Sequence, residues 1–207
     1  MTAHPGDVSG EPQDPIREIQ QERERARELN EPLVDVCYLA TVAAPDRPEV
    51  RALTLRDITE RGFGVLVNRT SRKWAQLERA GRATLLIYWP AVRRQYRVWG
   101  PLAPIEPERV EGYWNRKGYG SRLLEHYYDS FHPQSEPVSS RAEFMAGIEE
   151  LKRRYPTPES VPVPETMVGI YVVAEEIETW HGSPDRLHDR RLFRRTAAGW
   201  EFQVLVP

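Results

Sequence analysis

The stretch VDVCYLATVAAPDRPEVRALTLRDITERGFGVLV, residues 34–67, decides the fold. Three runs in it, VDVCYLATV (34–42), EVRALTLRDI (49–58) and FGVLV (63–67), are rich in β-branched residues or alternate apolar with polar ones. The turn-forming APDRP and ERG separate them, so the stretch reads as consecutive antiparallel strands. The pattern resumes in ATLLIYW (83–89) and RQYRVWGPLAPI (94–105), and the chain closes on VGIYVVAEEIETW (168–180), RLHDRRLFR (186–194) and WEFQVLV (200–206). Six or more antiparallel strands broken by helical segments predict a mainly β, α+β protein: a small antiparallel barrel with peripheral helices. There is no regular βαβ alternation and no G-x-G-x-x-G, which argues against a doubly wound dinucleotide-binding fold.

The helices are punctuated by their caps. Asp14-Pro15 marks a start for a charged surface helix whose apolar anchors are Ile16, Ile19, Ala26 and Leu29. SRKWAQLERAG (71–81) is a short helix ending at Gly81. Further helices are read from Pro107, around Ser121 to Tyr128, and from Ser140, the last with Phe144, Ile148 and Leu151 on one side and a basic end. PTPESVPVPET (156–166) reads as an extended connector. Residues 1–13 have no periodic apolar signal and read as a disordered tail before a single domain over 14–207.

Composition narrows the function. A net charge of -2 supplies no global field for nucleic acid or membrane binding, while basic residues gather locally, which favours a small anionic ligand. The single cysteine, Cys37, lies in an apolar run and excludes an internal disulfide and a cysteine-rich zinc site. No apolar run nears the roughly 18 residues of a membrane span, and the polar N-terminus is unlike a signal peptide, so the expected location is cytoplasmic. The five histidines are scattered, without a metal-ligand spacing.

Five constellations stand out. Asn68–Lys73 (NRTSRK) puts Ser71, Arg72 and Lys73 at a helix N-terminus, where free N–H groups and the dipole favour a phosphate; the same residues also suit a capped, solvated helix start. In VRALTLR (50–56), Arg51 and Arg56 differ in strand parity and are expected on opposite faces; an edge strand with solvated arginines fits equally. In RRQYRVWG (93–100), Gln95, Arg97 and Trp99 share a face, and a glutamine amide suits the edge of a flat heteroaromatic ring, or simply solvent. Tyr113, Lys117 and Ser121 are spaced to hold a second phosphate, or to form an aromatic helix and loop, and Gln134-Ser135 is a polar loop pair. Finally, Arg186, His188 and Arg190 recur at every second position, which in a strand would align them on one face. Anion holders and ring-edge donors without an obvious protein nucleophile fit a site where a bound cofactor supplies the reactive centre.

The pattern resembles the pyridoxamine 5'-phosphate oxidase family. IETWHGSPDRLHDR (177–190) is close to that family's C-terminal signature, and SRK (71–73), RQ (94–95), QS (134–135) and the DP start (14–15) follow the family's order over nearly the full chain. The resemblance implies an FMN-binding split β-barrel working as a homodimer with FMN at the subunit interface. It implies flavin contacts from Arg51, Ala52, Leu53, Thr54, Ser71, Arg72, Lys73, Gln95, Gln134, Ser135 and Arg190. Arg56, Tyr113, Lys117 and Ser121 would hold a phosphorylated pyridine substrate. Arg186 and His188 would cover its ring as the catalytic pair. The implied reaction oxidises pyridoxamine or pyridoxine 5'-phosphate to pyridoxal 5'-phosphate with O2 as acceptor, giving H2O2. Several positions depart from the family: Arg56 and Lys117 exchange lysine and arginine, Met167 and Thr179 replace aromatics, Val204 replaces an arginine, and the 121–134 segment is longer. Most touch the substrate side, which leaves open an FMN oxidoreductase acting on another flat heterocycle, as in the phenazine-pathway oxidases, or a non-catalytic flavin- or pyridoxal-phosphate-binding protein.

Overall fold

A computed structural model describes residues 14–207, so the tail expected over 1–13 lies outside the described residues. Helix α1 (Pro15–Glu28) starts where Asp14 accepts from the Ile16 N–H at 2.9 Å. Ile16, Ile19 and Ala26 are buried, but Leu29 is the C-cap and 52% exposed. The stripe instead includes Arg23, buried because its Nη2 donates to Asp35 Oδ1 (2.6 Å) and to the Leu55 carbonyl (2.8 Å).

Strands β1 (Val36–Ala44) and β2 (Arg47–Thr54) form an antiparallel pair from Val36↔Thr54 to Ala44↔Arg47. The single strand expected over 49–58 breaks after Thr54. Leu55 N–H donates to Asp35 O and Arg56 N–H to Gly64 O, which hands the chain to a second hairpin of β3 (Asp57–Thr59) and β4 (Gly62–Asn68). Period-two parity therefore does not run from Arg51 to Arg56, and alternation along one strand does not set their faces.

Strand β5 (Arg82–Trp89) pairs with β6 (Arg94–Pro104) along its length. On its other side β6 has two partners. Arg94–Trp99 pairs with β8 (Glu176–His181), and Leu102–Pro104 pairs with β7 (Met167–Val172). The strand expected over 168–180 is thus two strands in two sheets. Gly100 lies against the switch: a Cβ there would sit 1.8 Å from the Val173 carbonyl oxygen, so the two backbones meet only over glycine. Strands β9 (Asp189–Thr196) and β10 (Gly199–Leu205) complete the order β10-β9-β8-β6-β5-β1-β2, with β7, β4 and β3 branching from β6. All pairings are antiparallel and the path does not close on itself. This is the mainly β split barrel with peripheral helices that the sequence implies.

One core fills the barrel, with Leu39, Phe63, Leu85, Trp89, Tyr96 and Phe193 among its fully buried members and α1 packed against it. Cys37 belongs to it, and burial pushes its thiol up to about 12, which makes it inert. A second core joins α3 (Pro107–Trp114), α4 (Tyr119–Ser130) and α5 (Arg141–Arg154) to β7 through Val110, Trp114, Leu123, Leu151 and Tyr171. The connector at 156–166 is non-helical apart from a short turn at Pro158–Ser160. No helix among the described residues is long and apolar enough to cross a membrane.

Candidate functional site

Helix α2 (Arg72–Ala80) begins at the turn Asn68–Ser71, which Asn68 organises. Its Oδ1 accepts from the Thr70 N–H (2.9 Å) and hydroxyl (2.7 Å), while its Nδ2 donates to Glu125 (3.0 Å). Ser71 is the N-cap: its Oγ accepts from Trp74 N–H (3.3 Å) and donates to the Asn68 carbonyl (2.7 Å), so the helix start already uses that hydroxyl. Arg72 and Lys73 project from the first turn, beside the sheet edge formed by β2.

Two neighbouring cavities lie there. One, about 290 Å³, is lined by Glu49, Arg51, Arg72, Lys73, Gln134 and Ser135 with Ala52 and Leu53. The other, about 440 Å³, shares Ala52, Leu53, Lys73 and Gln134 and adds Thr54, Arg56, Lys117, Ser121 and Glu125. Eleven expected site residues thus converge from four separated parts of the chain: Arg51, Ala52, Leu53, Thr54, Arg56, Arg72, Lys73, Lys117, Ser121, Gln134 and Ser135. A larger cavity of about 660 Å³, between α2, the end of β6 and the connector, holds none of them and has mostly apolar walls. Size favours that one, but the convergence of donors favours the smaller pair.

Lys73 is the unbalanced charge of the first cavity. Burial, then the repulsion of Arg51, pulls its ammonium down to about 8. Its Nζ donates to Gln134 Oε1 at 2.5 Å, a neutral partner. Arg51, by contrast, is locked. It donates to the Thr41 hydroxyl (2.5 Å), the Leu39 carbonyl (3.2 Å) and Glu49 (3.0 Å), and Gln76 ties Glu49 and Thr41 into the same network. The hydrogen bond from Gln76 is the first cause that holds Glu49 below the usual carboxylate range. Three cations line this first cavity against the carboxylate of Glu49, with Arg72 also 3.8 Å from Glu136; beside a helix N-terminus they are a donor set suited to a phosphate dianion. Thr41, Gln76 and Glu49 were missed in the sequence because their link to Arg51 crosses from β1 and β2 to α2.

In the second cavity Lys117 Nζ donates to Glu125 Oε1 at 2.5 Å, with both side chains nearly buried. Tyr113, expected beside Lys117, does not line this cavity; its hydroxyl donates to Asp57 Oδ2. The helix spacing that linked the two is broken between Trp114 and Tyr119, where α3 ends and α4 begins.

The remaining expected residues lie elsewhere. Gln95, Trp180 and Arg190 are direct neighbours across β6, β8 and β9 and form one cross-strand row. Trp180 went unassigned in the sequence; register alone puts it between the two expected contacts. Arg190 donates to Glu178 (2.7 Å), which also receives Arg97. The alignment of Arg186, His188 and Arg190 on one strand face fails, because β9 begins only at Asp189. Arg186 is exposed in a turn at φ 66°. His188 packs on Trp180 (centroids 4.6 Å apart) and its Nδ1 accepts from Ser183 N–H (3.0 Å). A neutral imidazole so held carries its proton on Nε2. Ser135 (φ 74°) and Arg186 are two of the four non-glycine residues with positive φ among those described, a strain that clusters at functional sites. Neither Gln95, Trp180, Arg186, His188 nor Arg190 lines the two cavities. Along the sheet, β2 and β9 are five strand spacings apart, on the order of 24 Å.

Residues 23–155 match the family model described as pyridoxamine 5'-phosphate oxidase. Residues 168–207 match the pyridoxine 5'-phosphate oxidase C-terminal dimerisation region. The pyridoxine/pyridoxamine 5'-phosphate oxidase of Deinococcus deserti is 36% identical over 82% of this chain and 78% of its own. That of a Psychrobacter species is 33% identical over 95% of this chain and 91% of its own. Among solved structures, PhzG from Burkholderia lata in complex with tetrahydrophenazine-1-carboxylic acid has a TM-score of 0.84 and 25% identity, covering 100% of this chain and 98% of that one. A pyridoxamine 5'-phosphate oxidase-related, FMN-binding protein from Nostoc punctiforme shares the fold at a TM-score of 0.71 and 18% identity, over 95% of this chain and 100% of that one.

Proposed function

The chain belongs to the pyridoxamine 5'-phosphate oxidase family, and from that premise we propose that it is a homodimeric FMN-dependent oxidase that converts pyridoxine or pyridoxamine 5'-phosphate to pyridoxal 5'-phosphate, with O2 reduced to H2O2. The observation that carries the reading is the pair of cation-lined cavities beside β2 and α2, in which the Lys73 ammonium hydrogen-bonds to the neutral Gln134. Their donors fit FMN: Arg72 and Lys73 would hold its phosphate, with Arg51 to Thr54, Gln134 and Ser135 around it. When bound, FMN supplies the two-electron acceptor that takes a hydride from the substrate carbon and passes the electrons to dioxygen.

The chain's own residues bind and orient. Arg56, Lys117 and Ser121 line the wall of the second cavity and offer charge and hydroxyl to an anionic substituent of the substrate. Fixing that substituent holds the reacting carbon in one orientation, which is the main contribution such a site makes to rate. The row Gln95–Trp180–Arg190, with His188 packed at a tilt against Trp180, is an aromatic surface edged by an amide and a guanidinium. Because this row shares no cavity with Lys73 in one chain, a second copy would supply it, and a C-terminal segment matched to a dimerisation region supports that arrangement. Arg186 and His188 would then cover the substrate ring, His188 presenting its Nε2 proton to it.

A second reading is favoured by one feature. Glu125 cancels Lys117, and the nearest charge environment then suits a carboxylate as well as a phosphate; the likeness to PhzG extends over the whole chain. In that case the substrate is another flat heterocyclic acid. Anaerobic mixing of the flavin-loaded protein with pyridoxine 5'-phosphate separates the two. Bleaching of the flavin with formation of pyridoxal 5'-phosphate is the expected result; a yellow protein that neither pyridoxine nor pyridoxamine phosphate bleaches refutes the first reading.

A further inference from the structure

Another cavity, about 410 Å³, shares Thr54 and Arg56 with the cavity that Lys117 lines and is walled by Arg23, Arg27, Asp35, Arg56 and Arg116. Four guanidinium groups face one carboxylate. Asp35 is shared between Arg23 (2.6 Å) and Arg27 (3.0 Å) and is held below the usual carboxylate range, opposed by its own burial, through its hydrogen bonds to those two arginines. Arg56 and Arg116 are left over. Neither forms an ion pair among the described residues, and the half-buried Arg56 has an Nε with no hydrogen-bond partner. Burial, then the repulsion of Arg116, lowers the Arg56 guanidinium from its ordinary range, so the two charges are close enough to oppose each other.

Arg116 is positioned for this. Its guanidinium lies over the Tyr113 ring, 5.1 Å from the centroid, and Tyr113 is in turn fixed by its hydroxyl to Asp57. The carboxylates that Arg56 senses, Asp35 and Glu125, are already engaged by Arg23 and Arg27 and by Lys117, so the site keeps an excess of positive charge; forked guanidinium groups are the side chains best matched to phosphate or carboxylate oxygens. Lys117, on the other wall, already has its anion in Glu125.

We propose that the anionic substituent of the substrate is gripped by Arg56 and Arg116 across Thr54, and that Lys117, neutralised by Glu125, lines the cavity without being the principal charge partner. This rests on the substrate side of the function proposed above and names its specificity-determining residue. Tyr113 then acts indirectly, by carrying Arg116.

The test uses FMN-loaded protein with pyridoxal 5'-phosphate as probe, titrated by flavin fluorescence, in wild type, Arg116→Gln, Arg116→Lys and Lys117→Gln. Arg116→Gln is expected to raise Kd at least tenfold, Arg116→Lys to restore part of it, and Lys117→Gln to cost less than Arg116→Gln. Pyridoxal, which lacks the phosphate, should bind wild type and Arg116→Gln alike. An unchanged Kd in Arg116→Gln, or a larger loss in Lys117→Gln, overturns the proposal. Inorganic phosphate, read by the thermal shift of the same loaded proteins, keeps the site separate from the vitamin B6 reading. If wild type ignores pyridoxal 5'-phosphate yet is stabilised by phosphate only when Arg116 is present, the anion site stands and that reading falls. If neither probe responds to Arg116, the proposal is overturned.

Discussion

Binding of FMN should weaken as pH rises through about 8, and Lys73 is the reason. In the apoprotein its ammonium is pulled down to about 8 by burial and by Arg51, and it hydrogen-bonds to the neutral Gln134. A lysine with a folded pKa below its unfolded value destabilises the fold while charged, so this cost is present below pH 8 and is relieved as pH rises from there toward the ordinary lysine range. A phosphate dianion reverses the preference, since it stabilises the charged form and lifts the pKa again. Binding above pH 8 must therefore take up a proton. With a free-state pKa of about 8, roughly nine-tenths of Lys73 is charged at pH 7 and about one-tenth at pH 9, which predicts an affinity about tenfold weaker at the higher pH. Lys73→Met should remove the pH dependence and cost about 10- to 150-fold at pH 7, the value of a charge-assisted hydrogen bond of about 1.5–3 kcal/mol. Quenching of FMN fluorescence on titration with apoprotein between pH 7 and 9 measures both. A wild-type affinity that is flat across that range, or a Lys73→Met protein with the same slope, refutes the assignment of Lys73 to the phosphate.

Other consequences are equally direct. Arg186→Ala should lower turnover by tenfold or more while flavin stays bound through gel filtration, since Arg186 is an exposed turn residue outside both cavities; loss of flavin would contradict its assignment to the substrate. Gly100→Ala should destabilise the barrel by about 1–3 kcal/mol, because the added methyl meets the Val173 carbonyl and overpacking is costly; a thermal melt within error of wild type would show that the sheets part more easily than their packing implies. Phe202 (46%), Val204 (72%) and Val206 (87%) leave apolar surface exposed in the segment matched to a dimerisation region, so Val204→Glu should shift light-scattering mass from dimer toward monomer and release flavin in parallel. A dimeric, flavin-loaded Val204→Glu protein would place the interface elsewhere.

Much of the architecture was readable from local chemistry. The caps Asp14, Ser71, Ser140 and Gly81 mark helix ends because each satisfies backbone groups within a turn of itself. Alternation in β6 correctly separates buried Tyr96 and Val98 from Gln95, Arg97 and Trp99, because a strand's two faces follow from its own residues. Alternation failed where a strand boundary was invisible: at Leu55–Arg56, at 173–175 and before Asp189, breaks set by hydrogen bonds to Asp35, Gly64, Pro101 and Trp99 or by the turn around Ser183. Motif order identified most of the candidate site, including Lys73, Gln134 and Ser135, which lie some sixty residues apart.

The sequence alone therefore determined most of the elements though not all their boundaries, the family and the set of anion-seeking side chains, since caps, periodicity and motifs are properties of neighbouring residues. Which of those side chains share a cavity, and which are already neutralised, was decided by tertiary structure. Glu125 against Lys117, Gln76 against Glu49 and Arg116 beside Arg56 are contacts between separate elements, and a charge is available to a ligand only where folding has not supplied it with a partner.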